Sequence, residues 1–188
     1  MPLLTARDAL PHRPRRVLVA GGSGAGKTTL ARRIVGVLDL PYVELDGLFH
    51  GPGWTPRPSF LAEVQRFSSG PAWVTEWQYE SARPLLAARA DTLVWLDLPR
   101  PVVLAGAVRR TVRRRVRRER LWHGNVEPPL WRVLTDAEHV IRWAWATEPL
   151  VAPRVLAALG ERPELVVVRL RRRGDVPRWL AGPLAGQV

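Results

Sequence analysis

The sequence predicts a three-layer α/β domain built on a parallel sheet. Short apolar runs rich in β-branched residues recur along the chain, and each has the length of a buried strand. Between these runs lie segments whose apolar residues repeat at helical spacing. Strands that alternate with helices form βαβ units, in which helices cover both faces of a parallel sheet. We therefore expect the functional groups at the carboxyl ends of the strands.

The first unit is a strand, a glycine-rich turn and a helix. The predicted first strand, residues 16–20, begins at Arg16, continues with four apolar residues and leads into glycines. After Lys27 the apolar positions recur at helical spacing, and the pattern stops before Pro41, because proline cannot continue a helix. Residues 42–45 predict the second strand. Residues 47–58 hold three prolines and three glycines, which predicts an irregular loop.

Three more strands and several helices complete the pattern. Ser59 is predicted to cap a helix that ends at Phe67. Residues 81–89 predict the helix that joins the third and fourth strands. The remaining strands are predicted at residues 72–75, 92–96 and 165–168.

The longest predicted helix covers residues 102–120. Four apolar residues follow one another at every fourth position and predict the buried stripe of this helix: Leu104, Val108, Val112 and Val116. A loop over residues 121–129 follows, and then a tryptophan-rich helical segment at residues 134–147. The last residues, 176–188, are expected to form a weakly structured tail.

Length and composition indicate one globular domain over residues 1–188, with an N-terminal extension at residues 1–15. The chain has no cysteine, which excludes disulfides, thiolate zinc sites and a cysteine nucleophile. No apolar run approaches the roughly 20 residues that cross a bilayer. We expect a cytoplasmic protein with no membrane partner.

Positive charge is concentrated in a few segments. The formal net charge is +12, and Lys27 is the only lysine beside 28 arginines. Eight arginines and one glutamate lie between residues 109 and 120. Such a segment can face phosphorylated small molecules, nucleic acid or an acidic partner, or it can be a solvated helix face. Arginine used wherever a positive charge suffices is also typical of a GC-rich genome.

The segment between the first strand and the first helix matches G-x-x-x-x-G-K-[ST], in the context that confirms a phosphate-binding loop. Glycines let successive N–H groups face an anion, and the helix dipole adds positive potential. The lysine reaches the β- and γ-phosphates, and the threonine hydroxyl is a ligand for Mg²⁺. The residues predicted to bind nucleotide here are Gly21, Gly22, Ser23, Gly24, Ala25, Gly26, Lys27, Thr28 and Thr29.

Several further motifs give the chain a family resemblance. Besides the loop, these are residues 45–49 with Gly53-Trp54, Ala90-Asp91-Thr92 leading to residues 96–100, and Ile141-Arg142-Trp143-Ala144-Trp145. With them, the chain resembles the small P-loop kinases of the adenylate-kinase-like group, most closely the bacterial DNA topology-modulation or adenylate-kinase-related proteins. The resemblance implies a P-loop NTPase fold with a five-stranded sheet of order 2-3-1-4-5, a short arginine-rich helical lid at residues 108–130, and ATP-dependent phosphorylation of a small acceptor.

Two carboxylates compete for the second position at Mg²⁺. Glu76 and Asp97 both end apolar strands. In the family the segment after the third strand reads D-G-N-Y, and here it reads Glu-Trp-Gln-Tyr at residues 76–79. The resemblance favours Glu76, as catalytic residue and metal ligand with Thr28, over Asp97. Asp46, at the end of the second strand, is the predicted general base that accepts or orients the acceptor hydroxyl.

The arginine-rich helix supplies the remaining predictions. We expect Arg110, Arg113, Arg114 and Arg117 to project toward the phosphates, with Arg113 and Arg117 catalytic and Arg110 at the nucleotide. Arg142 is a candidate contact for a nucleotide phosphate. The arginine that packs on adenine in related kinases falls near Gly106 here. In the alternative hypothesis the protein is a nucleotide-binding switch or ATPase that docks on nucleic acid through this helix.

Overall fold

A computed structural model describes residues 3–129 and 140–187. Its centre is a five-stranded, all-parallel sheet of order β2-β3-β1-β4-β5, which confirms the predicted fold class and strand order. The strands are β1 (Arg16–Gly21), β2 (Tyr42–Val43), β3 (Trp73–Glu76), β4 (Thr92–Leu96) and β5 (Val166–Leu170). Helices cover both faces of the sheet, as the alternating pattern predicts.

Eight α-helices lie in the described part of the chain. They are α1 (Lys27–Leu38), α2 (Leu45–Phe49), α3 (Phe60–Ser68), α4 (Arg83–Arg89), α5 (Arg100–Val116), α6 (Val140–Thr147), α7 (Val151–Glu161) and α8 (Asp175–Trp179). Within residues 3–129 and 140–187, none of them has the length and apolar character that spanning a membrane requires. Of the helical segment predicted at residues 134–147, residues 134–139 lie outside the described part of the chain, and the rest forms α6.

The alternation of side chains along β1 divides the core in two. Val17 and Val19 face a cluster built from α1 and α8, while Leu18 and Ala20 face a cluster built from α3, α4 and α7. All four side chains are fully buried. A strand that is buried on both faces carries apolar side chains at successive positions instead of alternating apolar and polar ones. This explains the continuous apolar run at residues 17–20.

Both ends of the described chain pack on the body of the protein. Leu4 pairs with β5, because its N–H donates to Val167 O and its carbonyl accepts from Arg169 N. At the other end, Trp179 and Leu184 are fully buried. The weak tail predicted over residues 176–188 is therefore wrong up to residue 187. Apolar residues after Gly174 recur at helical spacing and pack in the cluster beside α1.

Ser59 occupies the predicted N-cap position directly before α3, but the predicted side-chain cap does not form. Its carbonyl accepts from Glu63 N at 2.9 Å. Its hydroxyl donates to Glu63 Oε1 at 2.6 Å, and Arg57 holds the same carboxylate at 2.6 Å. The hydroxyl is thus engaged with a carboxylate four residues ahead, and its oxygen accepts no bond from the amides of the first helical turn.

Helix α5 buries a different stripe from the predicted one. Val108, Val112 and Val116 are exposed, Val116 to 74%. The buried residues are Val103, Gly106, Ala107 and Thr111. These side chains are small because the helix backbone lies directly against the loop between β1 and α1. An ideal Cβ on Gly106 would come within 2.3 Å of Gly24 O, and one on Gly24 within 2.3 Å of Ala107 N.

The close approach of α5 predicts a large effect for a small substitution. Gly106→Ala places a methyl group against a backbone carbonyl that has no room to move, so we expect a loss of about 1–3 kcal/mol of unfolding free energy. Gly36→Ala, in α1, is the matched control, because nothing lies within 4 Å of its added Cβ; it should gain up to about 1 kcal/mol from helix propensity. Chemical denaturation of both variants checks this, and equal stability would contradict the close contact.

Candidate active site

The loop between β1 and α1, residues 21–26, is the glycine loop. It turns through left-handed conformations at Gly24 (φ 99°) and Gly26 (φ 101°), which side chains larger than glycine rarely adopt. The first helical bond beyond it runs from Leu30 N to Gly26 O, so the amides of the first turn of α1 have no helical acceptor. The glycine loop and α1 therefore present N–H groups to one place, as the motif predicts.

Lys27 is the cation at this loop. Its Nζ lies 3.4 Å from Gly22 O. Burial lowers the pKa of the ammonium, and Glu76 and Asp46 oppose that shift, whereas Arg110 and Arg83 add to it. The structure therefore brings the predicted lysine, both carboxylates and one predicted arginine into one electrostatic neighbourhood, together with Arg83, which the sequence did not point to.

Glu76 is the carboxylate beside the glycine loop. Its Oε1 accepts from Thr28 Oγ1 at 2.5 Å and from the Tyr42 hydroxyl at 3.1 Å. Its pKa is raised by burial, and Asp46 raises it further, while the bond from Thr28 lowers it. The contact follows from the sheet, because β1 and β3 are neighbours and Val19 pairs with Glu76. Tyr42 was missed, since only the pairing of β2 with β3 reveals its position.

Asp97 has a different set of partners. Its Oδ2 lies 2.6 Å from Arg169 Nη2 and 3.9 Å from Arg171 Nε. It directly follows β4, which neighbours β1 on the side opposite to β3. The structure thus pairs the loop threonine with Glu76 and pairs Asp97 with arginines from the end of β5.

The residues present fit a magnesium ion. Glu76 is 2% exposed, and its second oxygen, Oε2, is buried without a hydrogen-bond partner. A buried carboxylate oxygen without a partner is costly unless a cation or water completes its surroundings. Residues 3–129 and 140–187 contain no cluster of three or more histidine, aspartate or glutamate side chains. Magnesium does not need one, since it keeps several waters and takes one or two carboxylates together with phosphate oxygens.

Asp46 is held by the segment that departs from the family pattern. It lies in the first turn of α2, just beyond the end of β2. Its Oδ1 accepts from Gln78 Nε2 at 2.5 Å and from the Tyr79 hydroxyl at 2.6 Å. The Tyr79 oxygen also lies 3.2 Å from His50 Nε2. Gln78 differs from the asparagine of the family pattern and Tyr79 matches its tyrosine, and the two side chains orient Asp46.

The arginines of helix α5 and its C-terminal end lie on two faces, one toward the glycine loop and one toward solvent. On its inner face, Arg110 Nη2 donates to Ser23 Oγ at 2.8 Å, and burial lowers the pKa of its guanidinium. Arg114 lies one turn further and pairs with the buried Glu127 at 3.3 Å. On the outer face, Arg113 pairs with Glu119 at 3.4 Å and is more than half exposed, and Arg117 is exposed.

The predicted arginines are therefore only partly brought together. The structure places Arg110 at the glycine loop but does not bring Arg113 or Arg117 there, because the inner face is fixed by Val103 and Ala107, and residues 113 and 117 fall on the opposite side. Arg142 is exposed on α6, and Thr29 is exposed in the first turn of α1.

Two short loops close against each other beyond Asp46. Asn125, which is buried, donates from Nδ2 to Gly51 O at 2.8 Å and accepts from Trp54 N at 3.3 Å. The Trp122 ring stacks on His50 with centroids 6.0 Å apart. The segment after α5 is thus docked on the loop that follows α2.

Comparison with known proteins supports the fold. No protein-family model and no curated protein matches the chain. Among solved structures, a gluconokinase from Sinorhizobium meliloti 1021 is similar over 94% of this chain and 93% of its own, at 19% identity and a TM-score of 0.50. A shikimate kinase from Bacteroides thetaiotaomicron aligns over 89% of this chain and 95% of its own, at 13% identity and a TM-score of 0.45. The first likeness shows a shared fold, while the resemblance to topology-modulation proteins stays a prediction.

Proposed function

We propose that this protein is a phosphotransferase that uses ATP and Mg²⁺ to phosphorylate a small acceptor. The observation that carries the proposal is the contact of the Thr28 hydroxyl with the buried Glu76 carboxylate, beside a glycine loop that presents free amides and Lys27. The gluconokinase of S. meliloti, a phosphotransferase by its name, shares the fold, so this architecture is able to carry such a reaction.

The roles follow from position. The amides of the glycine loop and the first turn of α1 bind the phosphates, and Lys27 places its charge at the β- and γ-phosphates. Arg110, held against Ser23, offsets charge on the transferring group. Thr28 and Glu76 would hold Mg²⁺, which when bound neutralises charge on the β- and γ-phosphate oxygens.

Asp46 acts at the acceptor. Its Oδ1 already accepts two hydrogen bonds from Gln78 and Tyr79, which fix the plane of the carboxylate and leave Oδ2 for an incoming hydroxyl. The acceptor oxygen forms a bond to the γ-phosphorus while the bond from that phosphorus to the β-phosphate oxygen breaks. ADP departs and the hydroxyl proton passes to Asp46. The part of the predicted lid that the structure describes, residues 108–129, excludes water from this step.

The test of the proposal is acceptor-dependent release of ADP. Purified protein is incubated with ATP and Mg²⁺ and with nucleosides, nucleoside monophosphates or small hydroxylated metabolites, one class at a time. We expect one class to raise ADP release above the rate without acceptor, and chelation of Mg²⁺ to abolish it.

Duplex DNA is included in the same assay across a salt series. Stimulation by DNA alone, with a steep salt dependence, would contradict the proposal and favour the nucleic-acid switch.

A further inference from the structure

A cleft opens next to the glycine loop, on the side of β3. Gly22, Ser23 and Lys27 form one wall, and Gln78 lies beside them. The cleft therefore begins where the γ-phosphate of a bound nucleotide would end, and Gln78 connects it to Asp46. A molecule in this cleft is placed to receive a phosphoryl group.

Two arginines from distant parts of the chain also line the cleft. Arg83 opens α4, and Arg154 lies in the first turn of α7. The two side chains come together because α4 and α7 pack on the same face of the sheet. Burial lowers the pKa of the Arg83 guanidinium, and the charge of Arg154 lowers it further. Like charges that converge in a partly buried cleft repel each other unless an anion lies between them.

The described residues supply little compensating charge. Among residues 3–129 and 140–187, neither Arg83 nor Arg154 has a carboxylate within ion-pair distance, whereas Arg113, Arg114 and Arg169 each have one. The negative charge of Glu80 opposes the effects of burial and of Arg154 by raising the pKa of Arg83. The charge of Arg83 also acts on Lys27, whose own charge is offset by Glu76 and Asp46. Arg83 and Arg154 are therefore the cations of the cleft that lack a paired carboxylate among the described residues.

The opposite wall is suited to the uncharged part of a ligand. Trp143 and Thr147 face the cleft from α6, and Trp143 is 45% exposed. An exposed indole face beside a hydroxyl is a surface on which rings and polyhydroxylated chains pack. The cleft thus has cationic and aromatic lining residues, and Gln78 links its lining to Asp46 through a hydrogen bond.

We infer that the acceptor is an acidic hydroxyl compound, a carboxylate or a phosphate monoester, whose anionic group is bound by Arg83 and Arg154. This inference rests on the proposed function, since it assigns the acceptor side of the same site. Guanidinium groups bind both kinds of anion through paired N–H donors. The anion anchors the acceptor so that a hydroxyl lies between Asp46 and the γ-phosphate.

The test measures binding rather than turnover. Protein is loaded with ADP and Mg²⁺, and two matched pairs are titrated by calorimetry: D-gluconate against D-glucose, and ribose 5-phosphate against ribose. We expect at least one acid to bind about 10-fold or more tightly than its neutral partner. A preference confined to gluconate identifies a carboxylate site, and one confined to ribose 5-phosphate a phosphate site. Neutral sugars that bind as well as the acids, or no acid binding below about 10 mM, would overturn the inference.

Two variants locate the anion. Arg83→Gln and Arg154→Gln should each weaken binding of the preferred acid by about 10-fold or more and leave its neutral partner and ADP unchanged. Arg33→Gln, an exposed arginine of α1, is the matched control. Unchanged acid binding in both cleft variants would contradict the assignment.

Thermal melts separate a folding defect from a lost contact, and Arg→Lys at each position should restore part of the affinity. Phosphorylation of neutral sugars without preference for acids would sustain the proposed function while removing this inference. Acid binding that both variants lose would sustain the anion site even where no phosphoryl group is transferred.

Discussion

Replacing Lys27 with methionine should reduce ATP-dependent turnover by about 10²–10³-fold and remove tight binding of ATP with Mg²⁺. The ammonium is the single lysine of the chain and lies against the glycine loop, 3.4 Å from Gly22 O. Methionine keeps the length and most of the volume of the side chain, so the packing around it is retained. Calorimetric titration with ATP and Mg²⁺ measures the affinity, and the coupled ADP assay measures the rate.

Stability should not fall with activity in this variant. Burial lowers the pKa of Lys27, which means that the folded protein disfavours its charge, and an apolar replacement removes that cost. Arg33→Met on the same helix is the control for loss of one positive charge, because Arg33 is exposed. If Lys27→Met binds ATP with the affinity of the unmodified protein, the glycine loop is not the nucleotide site.

Glu76→Gln should likewise reduce activity without reducing stability. The amide keeps the shape of the carboxyl group but cannot complete the charge at Mg²⁺, so we expect Mg²⁺-dependent turnover to fall by about 10–100-fold. The folded protein, however, should be as stable as before or more stable at pH 8. Glu76 is fully buried with one oxygen unpartnered, and the neutral side chain no longer places a charge there.

The raised pKa of Glu76 determines how the stability of the unmodified protein changes with pH. Because burial raises the pKa of Glu76 above its ordinary value of 4.5, the folded state holds the proton more tightly than the unfolded chain does. The stabilising effect of that proton is complete below pH 4.5 and is lost as the pH rises through the raised pKa. A tenfold difference in proton affinity between the two states corresponds to about 1.4 kcal/mol of unfolding free energy.

Thermal melts from pH 5 to pH 8 should therefore show Glu76→Gln gaining on the unmodified protein as the pH increases. Glu161→Gln, at an exposed position of α7, should show no such trend. If the melting temperature of Glu76→Gln instead falls toward that of the unmodified protein as the pH rises, Glu76 is stabilised as a carboxylate before any metal binds.

The fold and the centre of the candidate site could be predicted from the sequence because they depend on local patterns. A buried strand, a glycine loop with its lysine and an amphipathic helix each occupy a short stretch, and the parallel topology then brings Thr28 and Glu76 together. Tyr42, Gln78 and Arg154 could not be predicted in the same way. Their positions depend on which strands are neighbours and on how α7 packs, and neither is encoded within a few residues.

The error in α5 has a related origin. Counting apolar side chains favours the row that begins at Leu104, because valines follow it at every fourth position. The structure instead buries the adjacent row, where Gly106 and Ala107 allow the helix backbone to touch the glycine loop. Hydrophobic periodicity favours the row of larger apolar side chains. The contact between α5 and the glycine loop instead requires a row of small residues. Arg110 reaches Ser23 only because that row faces inward.

The pairing of Leu4 with β5 bears on how this protein behaves at high concentration. An outer strand with unsatisfied amides and carbonyls is a template on which a second molecule can add a strand. Here the amide and the carbonyl of Leu4 occupy partners on β5. The opposite margin of the sheet is β2, which is only two residues long. We therefore expect the sheet to contribute little to aggregation, and any self-association to arise from helical surfaces.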